Sequence, residues 1–218
     1  MAKIVITGAN RGIGLQLAKL RADDHEVIAI VRRSSEELAA LRKVRVEDGV
    51  DVTDPAAIAR VAERLDGIDV LINNAGILRR GSLDDLDVDD IRSQLEVNAI
   101  GPLLLSAALV HKIRRGGKVV FVTSRMGSIA DNTSGGSYGY RMSKAALNMA
   151  ATSFAHDVRG REIAVQLVHP GYVRTEMTGG TGHVGPDEAA RMIWERTDEL
   201  GLEESGRFVH ANGEPLPW

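Results

Sequence analysis

Residues Lys3 to Leu20 read KIVITGANRGIGLQLAKL, and this stretch decides the fold class. The β-branched run Lys3–Thr7 predicts a buried strand, and the residues after the glycines are typical of a helix. A strand, a glycine turn and a helix in this order point free helix N–H groups at a phosphate. Glycines at positions 8, 12 and 14 let the backbone approach a pyrophosphate closely. The spacing G-x-x-x-G-x-G differs from the common G-x-G-x-x-G fingerprint, so an ordinary strand-to-helix turn is the alternative.

Strands and helices continue to alternate along the rest of the chain. Apolar runs predict strands at Glu26–Val31, Val44–Val50, Ile68–Ile72, Lys118–Thr123, Ile163–Val168 and Arg207–His210. Helical patterns predict helices at Ser34–Leu41, Ala56–Leu65, Ile91–Ile113, Tyr140–Val158 and Pro186–Leu200. We therefore predict an α/β fold in which residues 1–218 form a single-domain, Rossmann-like, doubly wound parallel sheet of about seven strands with helices on both faces.

Polar or glycine residues stand where the predicted strands end. Gly8, Arg32, Asp51 and Asn74 follow the first four strands, and Ser124 follows the fifth. The carboxyl ends of parallel strands meet at one edge of a sheet, and ligands of open α/β sheets bind there. The sequence thus predicts one site that these residues share.

Two arginines at the end of the second predicted strand bear on the choice of cofactor. In dinucleotide-binding folds an acid at this point binds the ribose 2′-hydroxyl, whereas an arginine accommodates a 2′-phosphate. Here Arg32 and Arg33 take that place, the next acid is Glu36, and Arg11 adds a cation from the glycine turn. We predict a preference for NADP(H) over NAD(H). Arginines that are merely solvated loop charges are the alternative.

Tyr140 and Lys144 lie four residues apart in a predicted helix, so their side chains share one face. An ammonium group beside a phenol stabilises the phenolate, and we expect it to lower the tyrosine pKa from about 10. Such a tyrosine is a general acid/base. Tyr138 lies off that face, so Tyr140 is the candidate. A surface lysine beside a half-buried tyrosine is the alternative for this pattern alone.

The predicted helix Ile91–Ile113 contains Asn98 and, four residues later, Pro102. Proline has no N–H to offer the carbonyl four residues before it. We therefore expect the Asn98 main-chain carbonyl to be free to hold a water molecule or a lysine. A tolerated kink is the alternative.

Composition excludes several classes of protein. The chain of 218 residues has no cysteine, so it has no disulfide framework, thiolate metal site or thiol nucleophile. A net charge of −3 provides no basic footprint for nucleic acid. We find no uninterrupted apolar run of membrane-spanning length, and the six histidines show no ligand spacing, so we predict neither a membrane nor a metal site. A cytoplasmic location is expected.

Taken together, the motifs resemble the short-chain dehydrogenase/reductase family, in its compact single-domain branch. The matching pieces occur in the family's order and span positions 7 to 175: Thr7-Gly8-x-x-x-Gly12-Ile13-Gly14, Asn73-Asn74-Ala75-Gly76, Asn98, Ser124, Tyr140-x-x-x-Lys144 and Pro170-Gly171-x-x-x-Thr175. The loop 132–136 and the ending Leu216-Pro217-Trp218 are similar to those of small carbonyl reductases related to bacterial C-factor and the insect sniffer reductase.

The resemblance implies a role for each matching residue. The catalytic residues would be Asn98, Ser124, Tyr140 and Lys144, with a water held by the Asn98 carbonyl linking Lys144 to solvent. The cofactor-binding residues would be Gly8, Asn10, Arg11, Gly12, Ile13, Gly14, Arg32, Asp51, Val52, Asn74, Ala75, Gly76, Tyr140, Lys144, Pro170, Gly171, Val173 and Thr175. Within this set Asp51 would lie beside the adenine, Asn74 near the adenosine ribose, and Thr175 at the nicotinamide carboxamide.

The implied function is reversible reduction of an aldehyde or ketone by NADPH, with Tyr140 as acid/base. A protein that binds NADP(H) as a regulator or scaffold, without catalysis, is the alternative from another class. An epimerase or dehydratase of the extended branch is disfavoured because the chain looks too short for the extra substrate lobe.

The substrate is left open by the sequence. We predict that the substrate meets Ser124, Arg125, Met126, Tyr140 and Tyr172 in a mixed apolar pocket. Further candidate wall residues of this pocket are Ile77, Leu78, Tyr138 and Met177. The segment between Pro170 and Pro186 is short for the family, so we expect an open pocket. The oligomeric state is also left open: helix faces near 98–113 and 140–158 pair subunits in homodimers or homotetramers of this family, whereas the carbonyl-reductase subgroup includes monomers.

Overall fold

Seven parallel strands form one sheet in the computed structural model, which describes residues 1–218. They are β1 (Lys3–Thr7), β2 (Glu26–Ile30), β3 (Val44–Glu47), β4 (Ile68–Asn73), β5 (Ile113–Val122), β6 (Ala164–His169) and β7 (Arg207–His210). The spatial order is β3-β2-β1-β4-β5-β6-β7. Because the order reverses between β1 and β4, the sheet is doubly wound, and the predicted fold class is confirmed.

Helices cover both faces of the sheet. They are α1 (Gly12–Arg21), α2 (Glu36–Ala39), α3 (Pro55–Glu63), α4 (Val88–Leu95), α5 (Gly101–Leu109), α6 (Tyr138–Val158) and α7 (Pro186–Glu199). One buried cluster joins the sheet to α3, α5 and α6, and a second joins it to α1, α2 and α7. Successive residues of β1 belong to different clusters: Val5 is part of the first cluster, and Ile4 and Ile6 are part of the second. This explains why the strand is apolar throughout.

The predicted helix Ile91–Ile113 is not one regular helix. It begins at Val88 as α4, passes through a π-helical segment at Glu96–Ile100, and continues as α5. In that segment the Gly101 N–H donates to the carbonyl of Glu96, five residues back. Pro102 has no N–H to offer Asn98, so the structure agrees with the expectation that the Asn98 carbonyl lacks its usual helical donor.

Strand β5 differs most from its prediction, since it begins at Ile113 and not at Lys118. Ile113 pairs with Ile68, the register then shifts, and Lys118 pairs with Val70. The intervening Arg-Arg-Gly-Gly sequence has low strand propensity, so the apolar pattern did not reveal this irregular first part.

The composite helix Val88–Lys112 is long and apolar enough, by length and composition, to cross a membrane. Charged residues such as Arg92 and Glu96 interrupt its apolar sequence, so it contains no uninterrupted apolar run of membrane-spanning length. Its α4 and α5 parts pack against α6, and α5 also packs against α3. Leu105 and Leu109 are buried in the core, whereas Ile100, Leu103 and Leu104 are exposed, so we interpret it as a helix that covers the sheet with one face.

Candidate active site

A cavity of about 650 Å³ opens at the carboxyl ends of the strands, where the sequence predicted a shared site. Most of the predicted cofactor residues line it: Gly8, Asn10, Arg11, Gly12, Ile13, Arg32, Asp51, Val52, Asn74, Ala75, Gly76, Tyr140, Lys144, Pro170 and Thr175. Residues as distant in sequence as Gly8 and Tyr140, which are 132 positions apart, are thus brought to one cavity by the sheet.

The glycine turn at the start of α1 is shaped for a phosphate group. Gly8 and Gly12 have φ values of +66° and +54°, which residues other than glycine rarely adopt. A Cβ atom on Gly8 would lie 2.8 Å from the Cα of Ala75. No side chain caps the N-terminus of α1. The free N–H groups of this helix therefore fit an anion such as a pyrophosphate, in agreement with the predicted dinucleotide site.

Gly14 serves packing and does not line the cavity, so its contact with the cofactor stays a prediction. A Cβ atom there would lie 2.3 Å from the carbonyl oxygen of Gly8 and 2.5 Å from Nδ2 of Asn74. The absence of a side chain lets α1 approach the end of β1.

We predict that Gly14→Ala destabilises the protein by about 1–3 kcal/mol, because the added methyl overlaps backbone that cannot move freely. The helix propensity of alanine, about 1 kcal/mol better than that of glycine, offsets only part of this. Urea unfolding measures the difference. Gly160→Ala is the control, since nothing lies within 4 Å of a Cβ atom at that position. A Gly14→Ala protein as stable as the wild type would contradict the packing argument.

Three arginines carry positive charge at the predicted adenosine end of the cavity. The Arg32 side chain is 80% exposed, and its guanidinium lies 3.8 Å from the Asp51 carboxylate. Arg33 also lines the cavity. Arg11 is engaged differently, because its Nη1 is 2.5 Å from Oε2 of Glu176. Arg32 is therefore freer than Arg11 to meet a 2′-phosphate.

Asn74 links the ends of β1 and β4 by hydrogen bonds. Its Nδ2 donates to the carbonyls of Thr7 (3.0 Å) and Gly8 (3.2 Å), and its own N–H donates to the Thr7 hydroxyl (3.0 Å). The resemblance placed Asn74 near the adenosine ribose. It does line the cavity, but its side-chain amide is occupied in holding the glycine turn against the end of β4.

Four residues from three elements form the predicted catalytic group. Ser124 lies two residues after the end of β5, Tyr140 and Lys144 come from α6, and Asn98 comes from the π-helical segment. The Lys144 amine donates to the Val122 carbonyl at 3.0 Å and lies 5.8 Å from the centre of the Tyr140 ring.

The Asn98 side chain is fully buried and fixes the start of the loop after β4. Its Oδ1 accepts from the Ile77 N–H (2.8 Å), and its Nδ2 donates to the Ile77 carbonyl (2.9 Å) and the Ser143 hydroxyl (3.0 Å). A Cβ atom on Gly76 would lie 3.2 Å from Asn98 Oδ1 and 3.9 Å from the Lys144 amine. Asn98 and Lys144 thus flank Gly76, although their link through water remains a prediction.

The expected lowering of the Tyr140 pKa by Lys144 is not found. Burial raises the pKa of Tyr140 to about 12, and the neighbouring Ser124 hydroxyl opposes only part of that rise. Burial also lowers the pKa of Lys144 to about 8. The reason is that desolvation disfavours both charged forms, a tertiary effect that helical spacing does not reveal. Tyr140 is therefore a protonated phenol near neutral pH.

The predicted substrate residues are only partly brought together. Tyr140, Ile77 and Met177 line the cavity. Ser124 lies beside Tyr140 but is not itself among the lining residues, and neither are Leu78, Arg125, Met126, Tyr138 and Tyr172. Arg125 pairs with Asp131 at 3.1 Å, and the Tyr172 hydroxyl bonds that of Thr181. Gly171 and Val173 also lie outside the cavity: a Cβ atom on Gly171 would meet the His210 ring, and Val173 is buried in a bridge to Val184.

The cavity also contains residues that were not predicted: Ile30, Val31, Val50, Val97, Val122, Thr123 and Glu176. Several of these stand at or just after strand ends, so the rule that placed Asp51 and Asn74 there could have found them. Glu176 belongs to a short helical turn after Thr175, and no motif marks it.

The fold and the cavity define a dinucleotide-binding α/β protein with a Tyr-Lys pair at the nucleotide site. A family model described as short chain dehydrogenase matches residues 2–183. The chain belongs to the short-chain dehydrogenase/reductase family, as its motifs predicted, and is an NAD(P)-dependent oxidoreductase.

Two curated relatives are similar over much of their length. The 1-hydroxy-2-glutathionyl-2-methyl-3-butene dehydrogenase of Rhodococcus sp. (strain AD45) is 39% identical over 227 residues, covering 100% of both chains. The C-signal protein of Myxococcus xanthus is 44% identical over 154 residues, covering 69% of this chain and 93% of that protein.

Solved structures show the same fold. The carbonyl reductase Sniffer of D. melanogaster has a TM-score of 0.92 at 27% identity and covers 100% of both chains. An NADPH-bound carbonyl reductase from chicken fatty liver has a TM-score of 0.90 at 31% identity, covering 100% of this chain and 99% of that one. The predicted likeness to small carbonyl reductases and C-factor is thereby confirmed.

Proposed function

We propose that this protein reduces an aldehyde or ketone with NADPH, and reversibly oxidises the alcohol, with Tyr140 as the acid/base. One observation carries the proposal: the Ser124 hydroxyl and the protonated Tyr140 phenol lie side by side, and Tyr140 lines the same cavity as the glycine turn and Arg32. A relative that acts on an alcohol and an NADPH-bound carbonyl reductase of the same fold support it.

The cavity residues fit each part of the cofactor. The N-terminus of α1 would hold the pyrophosphate, and Arg32 with Arg33 would meet the 2′-phosphate. Thr175, whose Cγ2 would lie 3.4 Å from a Cβ atom on Gly12, would meet the nicotinamide end. When bound, NADPH supplies the hydride.

The side chains supply binding and a proton. As negative charge grows on the substrate carbonyl oxygen, the Ser124 and Tyr140 hydroxyls donate hydrogen bonds to it. Tyr140 then gives its proton to that oxygen, since an alkoxide is a stronger base than a phenolate. A phenol with a pKa of about 12 is fully protonated at neutral pH, which suits an acid in the reducing direction.

The decisive experiment is a panel of aldehydes and ketones with NADPH and with NADH, read by the absorbance of the reduced nicotinamide. We expect turnover of at least one carbonyl, faster with NADPH. Tight NADPH binding without turnover on any carbonyl would refute the proposal and favour a regulatory or scaffold protein.

We predict that the rate of carbonyl reduction falls as the pH rises above about 8, where the buried Lys144 amine loses its proton. Although burial keeps the Tyr140 pKa high, a protonated Lys144 amine 5.8 Å from the ring centre still attracts the phenolate that forms when Tyr140 gives up its proton. Deprotonation of Lys144 removes that attraction. Steady-state rates at saturating NADPH, measured across this range, test the prediction. A rate that is independent of pH from neutral to strongly alkaline solution would contradict it.

A further inference from the structure

The loop that follows β5 holds Ser124, and its inner side is fixed by α6. We call residues 124–131 the Ser124 loop. A Cβ atom on Gly127 would lie 2.7 Å from the carbonyl carbon of Lys144, so the loop packs directly on the helix backbone. The Ser124 hydroxyl accepts a hydrogen bond from the Met126 N–H (3.2 Å), and the Ser124 main-chain carbonyl accepts one from the Gly127 N–H (2.8 Å). The position of the Ser124 hydroxyl therefore depends on that of the loop.

The outer part of the Ser124 loop is held by residues 214–218, which we call the clamp segment. The Ala130 N–H donates to the Trp218 carbonyl at 2.8 Å. The Glu214 carboxylate lies 3.7 Å from the Arg125 guanidinium, which also pairs with Asp131 at 3.1 Å. The clamp segment thus contacts both ends of the loop.

The clamp segment is itself anchored on β7. Its Leu216 N–H donates to the Phe208 carbonyl (2.9 Å), and the Leu216 side chain is buried in the core. The Trp218 ring stacks on the Phe208 ring, with centroids 5.6 Å apart and an interplanar angle of 28°. A continuous set of contacts therefore connects the edge strand, through Trp218, to the loop of Ser124.

We propose that the clamp segment positions the Ser124 hydroxyl for the substrate, with Trp218 as the main positioning residue. The inference rests on the proposed role of Ser124 in carbonyl reduction. The Arg125–Glu214 pair is largely exposed, and exposed ion pairs contribute little to stability. The stacked Trp218 ring and the Trp218 carbonyl therefore contribute most to holding the Ser124 loop in place.

Trp218→Ala should lower kcat for carbonyl reduction about tenfold, since small misplacements of groups that act in the transition state reduce the rate strongly. The Kd of NADPH should stay unchanged, because no residue of the loop or the clamp segment lines the cofactor cavity. Trp218→Phe, which keeps a stackable ring, should restore most of kcat. Leu20→Ala is the control for loss of a half-exposed apolar side chain, and it should change neither quantity.

Hydrogen exchange provides a readout that needs no turnover. Trp218→Ala should speed exchange of the Ala130 amide and leave the amides of β5 protected. Unchanged exchange at Ala130, an unchanged kcat, or a parallel loss of NADPH binding would overturn the proposal. Should Trp218→Ala fail to fold, Trp218→Leu takes its place. If the wild type reduced no carbonyl, the proposed function would fail, but the exchange measurement would still test the clamp.

Discussion

Tyr140→Phe should lower kcat for carbonyl reduction by about a thousandfold, within the range of about 10²–10⁴ that a general acid contributes. The substitution removes one hydroxyl and keeps the ring, so the packing of α6 is preserved. The Ser124 hydroxyl would still donate to the substrate oxygen, but no group would remain to deliver the proton. The measurement is single-turnover reduction with NADPH bound, together with the Kd of NADPH, which should change less than about threefold because only the hydroxyl is lost.

Tyr138→Phe is the matched control for this experiment. Tyr138 lies two residues earlier in α6, carries the same phenol, and is 38% exposed. It does not line the cofactor cavity, so kcat should be unchanged. Near wild-type turnover by Tyr140→Phe, or an equal loss in Tyr138→Phe, would remove Tyr140 from the acid/base role.

Arg32→Ala should weaken NADPH binding about tenfold and NADH binding far less. A hydrogen bond to a charged group contributes about 1.5–3 kcal/mol, and we expect the lower end because the Arg32 side chain is mostly exposed. The loss also leaves the Asp51 carboxylate without its cationic neighbour, which adds repulsion toward a 2′-phosphate. Equilibrium titration with both cofactors at fixed ionic strength measures the ratio of the two affinities.

Two further variants sharpen this result. Arg11→Ala should have the smaller effect, because Glu176 already binds that guanidinium. Arg42→Ala should have none, since Arg42 is exposed and outside the cavity. Equal losses of NADPH and NADH affinity in Arg32→Ala would show that Arg32 does not read the 2′-phosphate.

The rule that ligands collect at the carboxyl ends of parallel strands identified the edge of the sheet where the cavity opens. It needed only the order of apolar runs and the residues that follow them, and both are local properties of the sequence. It placed Gly8, Arg32, Asp51 and Asn74 at one cavity. It could not tell which glycine faces the cavity, because the atoms beside Gly8 and Gly14 are placed there by the folded chain.

The sequence by itself determined the α/β class, the strand-glycine-helix turn and the spacing that puts Tyr140 and Lys144 on one helix face. These features depend only on hydrophobic periodicity and on the positions of glycines, and both can be read from neighbouring residues. Only the tertiary structure decided the protonation of that pair, since burial depends on everything that packs around α6. Likewise, the engagement of Arg11 by Glu176 and of Ala130 by Trp218 joins residues far apart in the chain. Such contacts arise when the sheet brings distant loops together, and no local pattern encodes them.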